Sequence, residues 1–145
     1  MNYWLVIHSL DSYKEHPDLI GCPVNLRYTK NKPRFKLFSK LAEGDKIVYY
    51  AKGKKIVGLF QINSDMLFID DDPKWGSMFV YSIAPIAMAS TGYIELEKII
   101  PNPITDLEIF QNAKNWASVL QGKVVLRLSV TDYIIFENFF RSQRK

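Results

Sequence analysis

The sequence holds little that could staple, span or coordinate. Its 145 residues include one cysteine, Cys22, so neither an intramolecular disulfide nor a cysteine-built metal cluster can form. The two histidines, His8 and His16, lack the His-x-x-x-His spacing and the acidic partner motif of a zinc site, and no metal or cofactor is expected. Gly-x-x-x-x-Gly-Lys, Gly-x-Gly-x-x-Gly and Gly-x-Ser-x-Gly are all missing, which removes the familiar phosphate loops and the nucleophile elbow. Ser9 adjoins His8, but neighbouring residues of a strand point to opposite faces and make no dyad. No window approaches the roughly 18 to 20 apolar residues of a membrane span. The apolar opening run is too short for a signal peptide and follows no positive charge. A cytoplasmic protein with no membrane partner is the expectation. Acidic residues are missing from one stretch: residues 19–42 contain no Asp or Glu, yet hold Arg27, Lys30, Lys32, Arg34, Lys36 and Lys40.

What is present is a globular composition. Apolar residues make up 48% and aromatics 14%, enough for a packed core over most of the length and against extended disorder. Length, the lack of internal repeats and the lack of a Gly-, Ser- or Pro-biased linker predict a single domain over residues 1–145. Net charge is +4. Because the cations concentrate in one acid-free stretch, that segment reads either as a solvated face or as a strip that neutralises phosphates.

Residues 3–7, Tyr-Trp-Leu-Val-Ile, form a continuous aromatic and β-branched run and predict a buried strand. Residues 11–16 predict a short helix capped by Ser9 or Asp11, Gly21-Cys22-Pro23 predicts a turn, and residues 35–41 predict another short helix. Two β-rich runs, 47–51 and 56–62, flank the Gly53-containing turn 52–55 and predict a hairpin. Residues 63–74 read as a strand remnant ending in a loop; 78–86 and 92–99 read as strands. Asp106 stands near a cap position for residues 105–110, and residues 115–122 read as a loop or helical segment around Trp116. Ser129 with Asp132 three residues on resembles a capping box that opens a helix through Tyr133, Phe136 and Phe140. The Asp70-Asp71-Asp72 run before Pro73 is read as a solvated loop rather than a magnesium or general-base site. Short strands without a βαβ repeat imply an α+β domain on a curved sheet or open barrel.

Several pieces in order resemble EVE-domain proteins. They are Tyr3-Trp4-Leu5-Val6-Ile7-His8-Ser9, Gly21-Cys22-Pro23, Gly44-Asp45-Lys46-Ile47-Val48-Tyr49-Tyr50 and Ile56-Val57-Gly58. The stretch from Phe110 to Trp116, with Gln121-Gly122-Lys123 after it, is similar to the small archaeal and bacterial subgroup of that family. The resemblance implies a PUA-like fold, a curved β-barrel of five to six strands flanked by short helices and related to the YTH readers of methylated adenine. It also implies a non-enzymatic module that recognises a modified or flipped base in DNA or RNA. A reader of this kind lifts a base from its stack into a pocket with aromatic walls and a few polar edge-reading groups.

By the same resemblance the base pocket comprises His8, Ser9, Leu10, Tyr13, Cys22, Pro23, Val24, Phe68, Trp75 and Trp116. Cys22 stands where YTH readers place one cage tryptophan. Arg27, Lys30, Arg34, Lys36 and Lys123 would contact phosphates. Two other functions fit the same concave fold: a binder or processor of a free nucleotide or small molecule, and an RNA-binding accessory factor that reads shape. Trp4, in mid-strand, is expected in the core. The sequence leaves DNA versus RNA and the oligomeric state open.

Overall fold

The computed structural model describes residues 1–23, 36–101, 106–110 and 124–142. Strand β1 (Tyr3–His8) lies within the sheet, parallel to β3 (Lys46–Ala51) and antiparallel to β8 (Val125–Leu128). With neighbours on both edges and side chains buried on both faces, the interior of β1 must be apolar, as residues 4–7 are. Trp4 and Val6 face one cluster, Leu5 and Ile7 the other.

The expected hairpin forms from β3 and β4 (Lys55–Ile62), with Gly53 and Lys54 at positive φ in the turn. β6 (Gly76–Met88) is 13 residues long and serves three partners. Its second half pairs with β4, and its first half lies between β2 (Leu19–Pro23) and β5 (Leu67–Asp72). The strand order is therefore β2-β6-β4-β3-β1-β8, curled into a half-barrel. Gly58 allows the curl: a Cβ there would lie 2.5 Å from the Ala87 carbonyl oxygen, next to a register shift in the β4–β6 ladder.

The sheet separates two cores. Inside the curl sit Trp4, Val6, Ile47, Tyr49, Phe60 and Tyr81. Outside, α2 (Leu96–Ile99) and α3 (Val130–Ser142) cover Leu5, Val48 and Tyr50 with Leu96, Tyr133 and Phe136. Ser129 Oγ accepts the Asp132 N–H at 3.1 Å and so caps α3 as expected. The buried Asp132 carboxylate does not complete a capping box; it accepts the N–H groups of Glu108 and Ile109, fastening the 3-10 turn Glu108–Phe110 to the helix. Trp4 is a core residue whose indole N–H donates to buried Asp45 at 2.9 Å.

Three expectations need correction, and one strand was not expected. Gly21-Cys22-Pro23 is not a turn but the end of β2, where proline occupies the last strand position and loses no interior ladder bond. Residues 92–99 hold only the two-residue β7 (Ile94–Glu95) before α2, because Leu96, Ile99 and Ile100 present one helical face to the outer core. Residues 63–74 contain a full strand, β5, rather than a remnant. The strand β8 carries too short an apolar run to be read without its partner β1. The expected helix over 35–41 appears, within the described residues, as one turn over 36–38. The expected segment 115–122 lies outside the described residues.

Candidate nucleic-acid interface

Rings from separate elements meet where β1 ends. His8 is the last residue of β1, and α1 (Leu10–Glu15) starts two residues later because Ser9 Oγ accepts the Ser12 N–H at 3.0 Å. This cap points Tyr13 back over the barrel interior. Its ring meets Tyr49 of β3 edge to face at 5.1 Å, and Tyr49 meets His8 in the same way at 5.7 Å. On the other side of His8 lies Trp75, at 6.0 Å between ring centres, and beyond it His16 at 4.7 Å. Gly21 of β2 lies beneath: a Cβ there would sit 2.8 Å from Trp75 Cζ3. The arrangement, a packed aromatic cluster where β1 ends, is termed the aromatic mouth: Tyr49 is fully buried, and His8, Tyr13 and Trp75 are half-buried.

Both ring nitrogens of His8 are occupied. Nδ1 lies 2.8 Å from the Ile7 carbonyl and donates to it; Nε2 accepts the Gly21 N–H at 3.2 Å. One acceptor and one donor fix the neutral tautomer with the proton on Nδ1. Burial, set against the Ile7 hydrogen bond and reinforced by the Lys52 charge, pulls its pKa down to about 4. His8 is thus an uncharged wall that ties β1 to β2. The Tyr49 hydroxyl and the Trp75 indole nitrogen are buried without a hydrogen-bond partner, and burial raises the Tyr49 phenol well above its ordinary range.

Trp75 owes its place to the turn Asp72-Pro73-Lys74-Trp75-Gly76. Asp72 Oδ1 accepts the N–H groups of Lys74 (2.8 Å) and Trp75 (2.9 Å), and Gly76 closes the turn at φ 72. The same carboxylate accepts His16 Nε2–H at 2.9 and 3.0 Å. That hydrogen bond, with those from Trp75 and Lys74, lowers the Asp72 pKa to about 2. Asp72 is therefore not simply solvated as expected, and His16 has an acidic partner 56 residues away that no local motif announced.

The remaining expected site residues are placed as follows. Leu10 and Tyr13 pack against the inner core beside the mouth, and Cys22 is buried within that core. Pro23 ends β2. Phe68 is exposed and packs on Phe79, four residues before Asp72 and so about 13 Å along β5 from it. Val24, Arg27, Lys30, Arg34, Trp116 and Lys123 lie outside the described residues. Lys36 is exposed, and the chain after it reaches Ala42, whose N–H is held by Asp45 beside Asn2. The described end of the basic segment thus arrives at the start of β1, about 20 Å along the strand from His8.

Lys52, from the charged hairpin turn, stands beside His8. The Lys52 N–H donates to the His8 carbonyl at 2.8 Å, and the Lys52 side chain is exposed. Its neighbours in the hairpin turn are engaged, Lys54 with Glu97 at 3.3 Å and Lys55 over the Tyr93 ring at 4.9 Å. The parallel register His8↔Ala51 is what brings Lys52 there, and parallel pairing leaves no local sequence signal.

Among the described residues no group of three His, Cys, Asp or Glu could hold a metal ion. An apolar cavity of about 10 Å³ lies behind the sheet between Leu5, Tyr50, Leu107 and Phe136. It is about the size of one water and has no converging polar groups, so it is a packing gap. Among the described residues no helix is long and apolar enough to cross a membrane.

No protein-family model matches the chain, and no curated protein matches it either. Solved structures do. Human THYN1, in complex with DNA containing 5-methylcytosine, superposes with a TM-score of 0.56 at 14% identity over 100% of this chain and 99% of that one. The Mmi1 YTH domain gives 0.60 at 13% identity, covering 99% and 91%, and a hypothetical protein from Leishmania major gives 0.58 at 17%, covering 100% and 98%. At such identities the likeness is one of fold. The chain has the curved PUA-like half-barrel that its resemblance implied.

Proposed function

We propose that this protein is a non-enzymatic nucleic-acid-binding module that takes one modified or flipped base into the aromatic mouth at the end of β1. The observation that carries the reading is the meeting of His8, Tyr13, Tyr49 and Trp75 from four separate elements. The half-buried rings of Tyr13 and Trp75 offer flat surfaces that suit the faces of a base, and the neutral His8 adds no cation that would draw a phosphate in its place. Two proteins of this fold point the same way: human THYN1 was solved on DNA containing 5-methylcytosine, and the Mmi1 domain is a YTH domain. Lys52, and the strip Arg27, Lys30, Arg34 and Lys36, would supply phosphate contacts, with Lys123 beyond them.

The test is binding to a panel of equal-length probes: duplex DNA with and without one 5-methylcytosine, and single-stranded RNA with and without methylated adenine. The expected result is micromolar or tighter binding that weakens with salt and prefers one modified probe. A log-log salt slope near zero would remove the phosphate contacts, and equal affinity for modified and plain probes would remove the modified-base reading.

A further inference from the structure

His16 and Asp72 form a strut across the mouth. His16 is the residue that ends α1, and Asp72 ends β5. They meet at 2.9 Å, with side chains 25% and 12% exposed, so the pair is only partly open to solvent. Asp72 accepts from three donors at once: His16 Nε2, Lys74 N–H and Trp75 N–H. A carboxylate so engaged is a poor metal ligand or base, but it fixes two things together, the end of α1 and the backbone of Trp75. His16 in addition sets its ring edge-on to the indole at 4.7 Å. Gly21 packs against the six-membered ring of the indole: a Cβ there would lie 2.8 Å from Trp75 Cζ3 and 2.8 Å from Met78 Cε. Trp75 is thus held at its backbone by Asp72 and packed by His16 and Gly21.

We propose that His16 and Asp72 are positioning residues for ligand recognition, holding Trp75 as a fixed wall of the mouth. The proposal rests on the base-binding reading above. A tryptophan on a hairpin turn that had to be immobilised by the ligand would lose affinity to that ordering; the strut removes the cost before binding.

The experiment compares wild type, His16→Ala, His16→Gln and Gly21→Ala in titrations with the same oligonucleotide panel. Each protein is also followed by its indole N–H resonances and its melting temperature. His16→Ala is expected to weaken binding about tenfold and to move the Trp75 indole resonance, while the Trp4 indole, held by Asp45, stays in place. His16→Gln, which keeps a donor for Asp72, is expected to restore affinity to within about threefold of wild type. Gly21→Ala crowds the six-membered ring of the indole, and Met78 with it, while leaving the strut intact, and is expected to weaken binding as well. Wild-type affinity in His16→Ala, or weakened binding with an unmoved Trp75 resonance, overturns the strut and leaves base binding standing. Failure of the wild type to bind any probe overturns base binding and the strut with it.

Discussion

His8 links the mouth to pH. Its folded pKa is near 4 against an ordinary 6.5, so below pH 6.5 the unfolded chain binds the proton more readily than the native one. Stability is complete above pH 6.5 and falls as pH drops from 6.5 towards 4, by up to roughly 3 kcal/mol. Asp72 acts in a separate window, since a carboxyl held near 2 contributes fully above its ordinary 3.8 and is lost only as pH falls through 2. Urea denaturation between pH 8 and 4 is expected to show this slope in wild type and a flattened curve in His8→Gln; parallel curves would contradict a buried neutral imidazole. Tyr49 carries a second residue-scale prediction. Its side chain is fully buried and its hydroxyl has no partner, so Tyr49→Phe removes a desolvated polar atom and keeps the ring. Stability should be unchanged or higher by up to about 1 kcal/mol, and a loss of more than that in the same denaturation experiment would reveal a hydrogen bond. Of these residues, His8 and Trp75 were singled out through the family resemblance, and the structure places their rings 6.0 Å apart. Tyr49 read only as part of a hairpin strand, because a strand's sequence does not say which residue of its inner face meets the rings at the end of β1.

The β3–β4 hairpin, legible from its turn chemistry, is more than a barrel wall. The parallel register of β1 and β3 carries its turn to the end of β1 and sets Lys52 beside His8, whereas the described end of the basic segment lies at the other end of the same strand. If nucleic acid crosses the mouth, Lys52→Ala should reduce the magnitude of the log-log salt slope by about 1, and Lys40→Ala should leave it unchanged. Fluorescence anisotropy between about 50 and 200 mM salt checks this; the reverse pattern would move the phosphate path to the start of β1. Helix α3 shows how an element can be legible and its wiring not. Ser129 was correctly read as the cap, but the Asp132 carboxylate goes to backbone N–H groups more than twenty residues earlier in the chain. Asp132→Ala strands those buried donors and is expected to cost about 2 to 4 kcal/mol in chemical denaturation. A cost below 1 kcal/mol would mean that the 3-10 turn holds without it.

Across the whole molecule, the sheet divides stability from recognition. Strand periodicity and the hairpin gave away the curved sheet, and the apolar run of residues 3–7 gave away a buried strand. The pairing of β6 with three partners and the addition of β8 were hidden, since both depend on contacts between residues far apart in sequence. The consequence is a molecule with two cores that share strands but not roles. Phe136 packs in the outer core, where α3 covers the sheet away from the mouth. Phe60 packs in the inner core, and its ring lies 5.6 Å from Tyr49 and 6.3 Å from Tyr13. Both are 1% exposed, so trimming either to leucine removes a comparable buried volume and should cost about 1 to 2 kcal/mol. Their effects on binding should differ. Phe136→Leu leaves the rings of the mouth supported and is expected to bind the preferred oligonucleotide as wild type does. Phe60→Leu removes the surface on which Tyr13 and Tyr49 rest, and is expected to weaken binding severalfold beyond what its stability loss accounts for at a temperature where both variants are folded. Equal binding by the two variants, measured at matched stability, would show that the inner core serves folding alone and that the mouth is set by its rim.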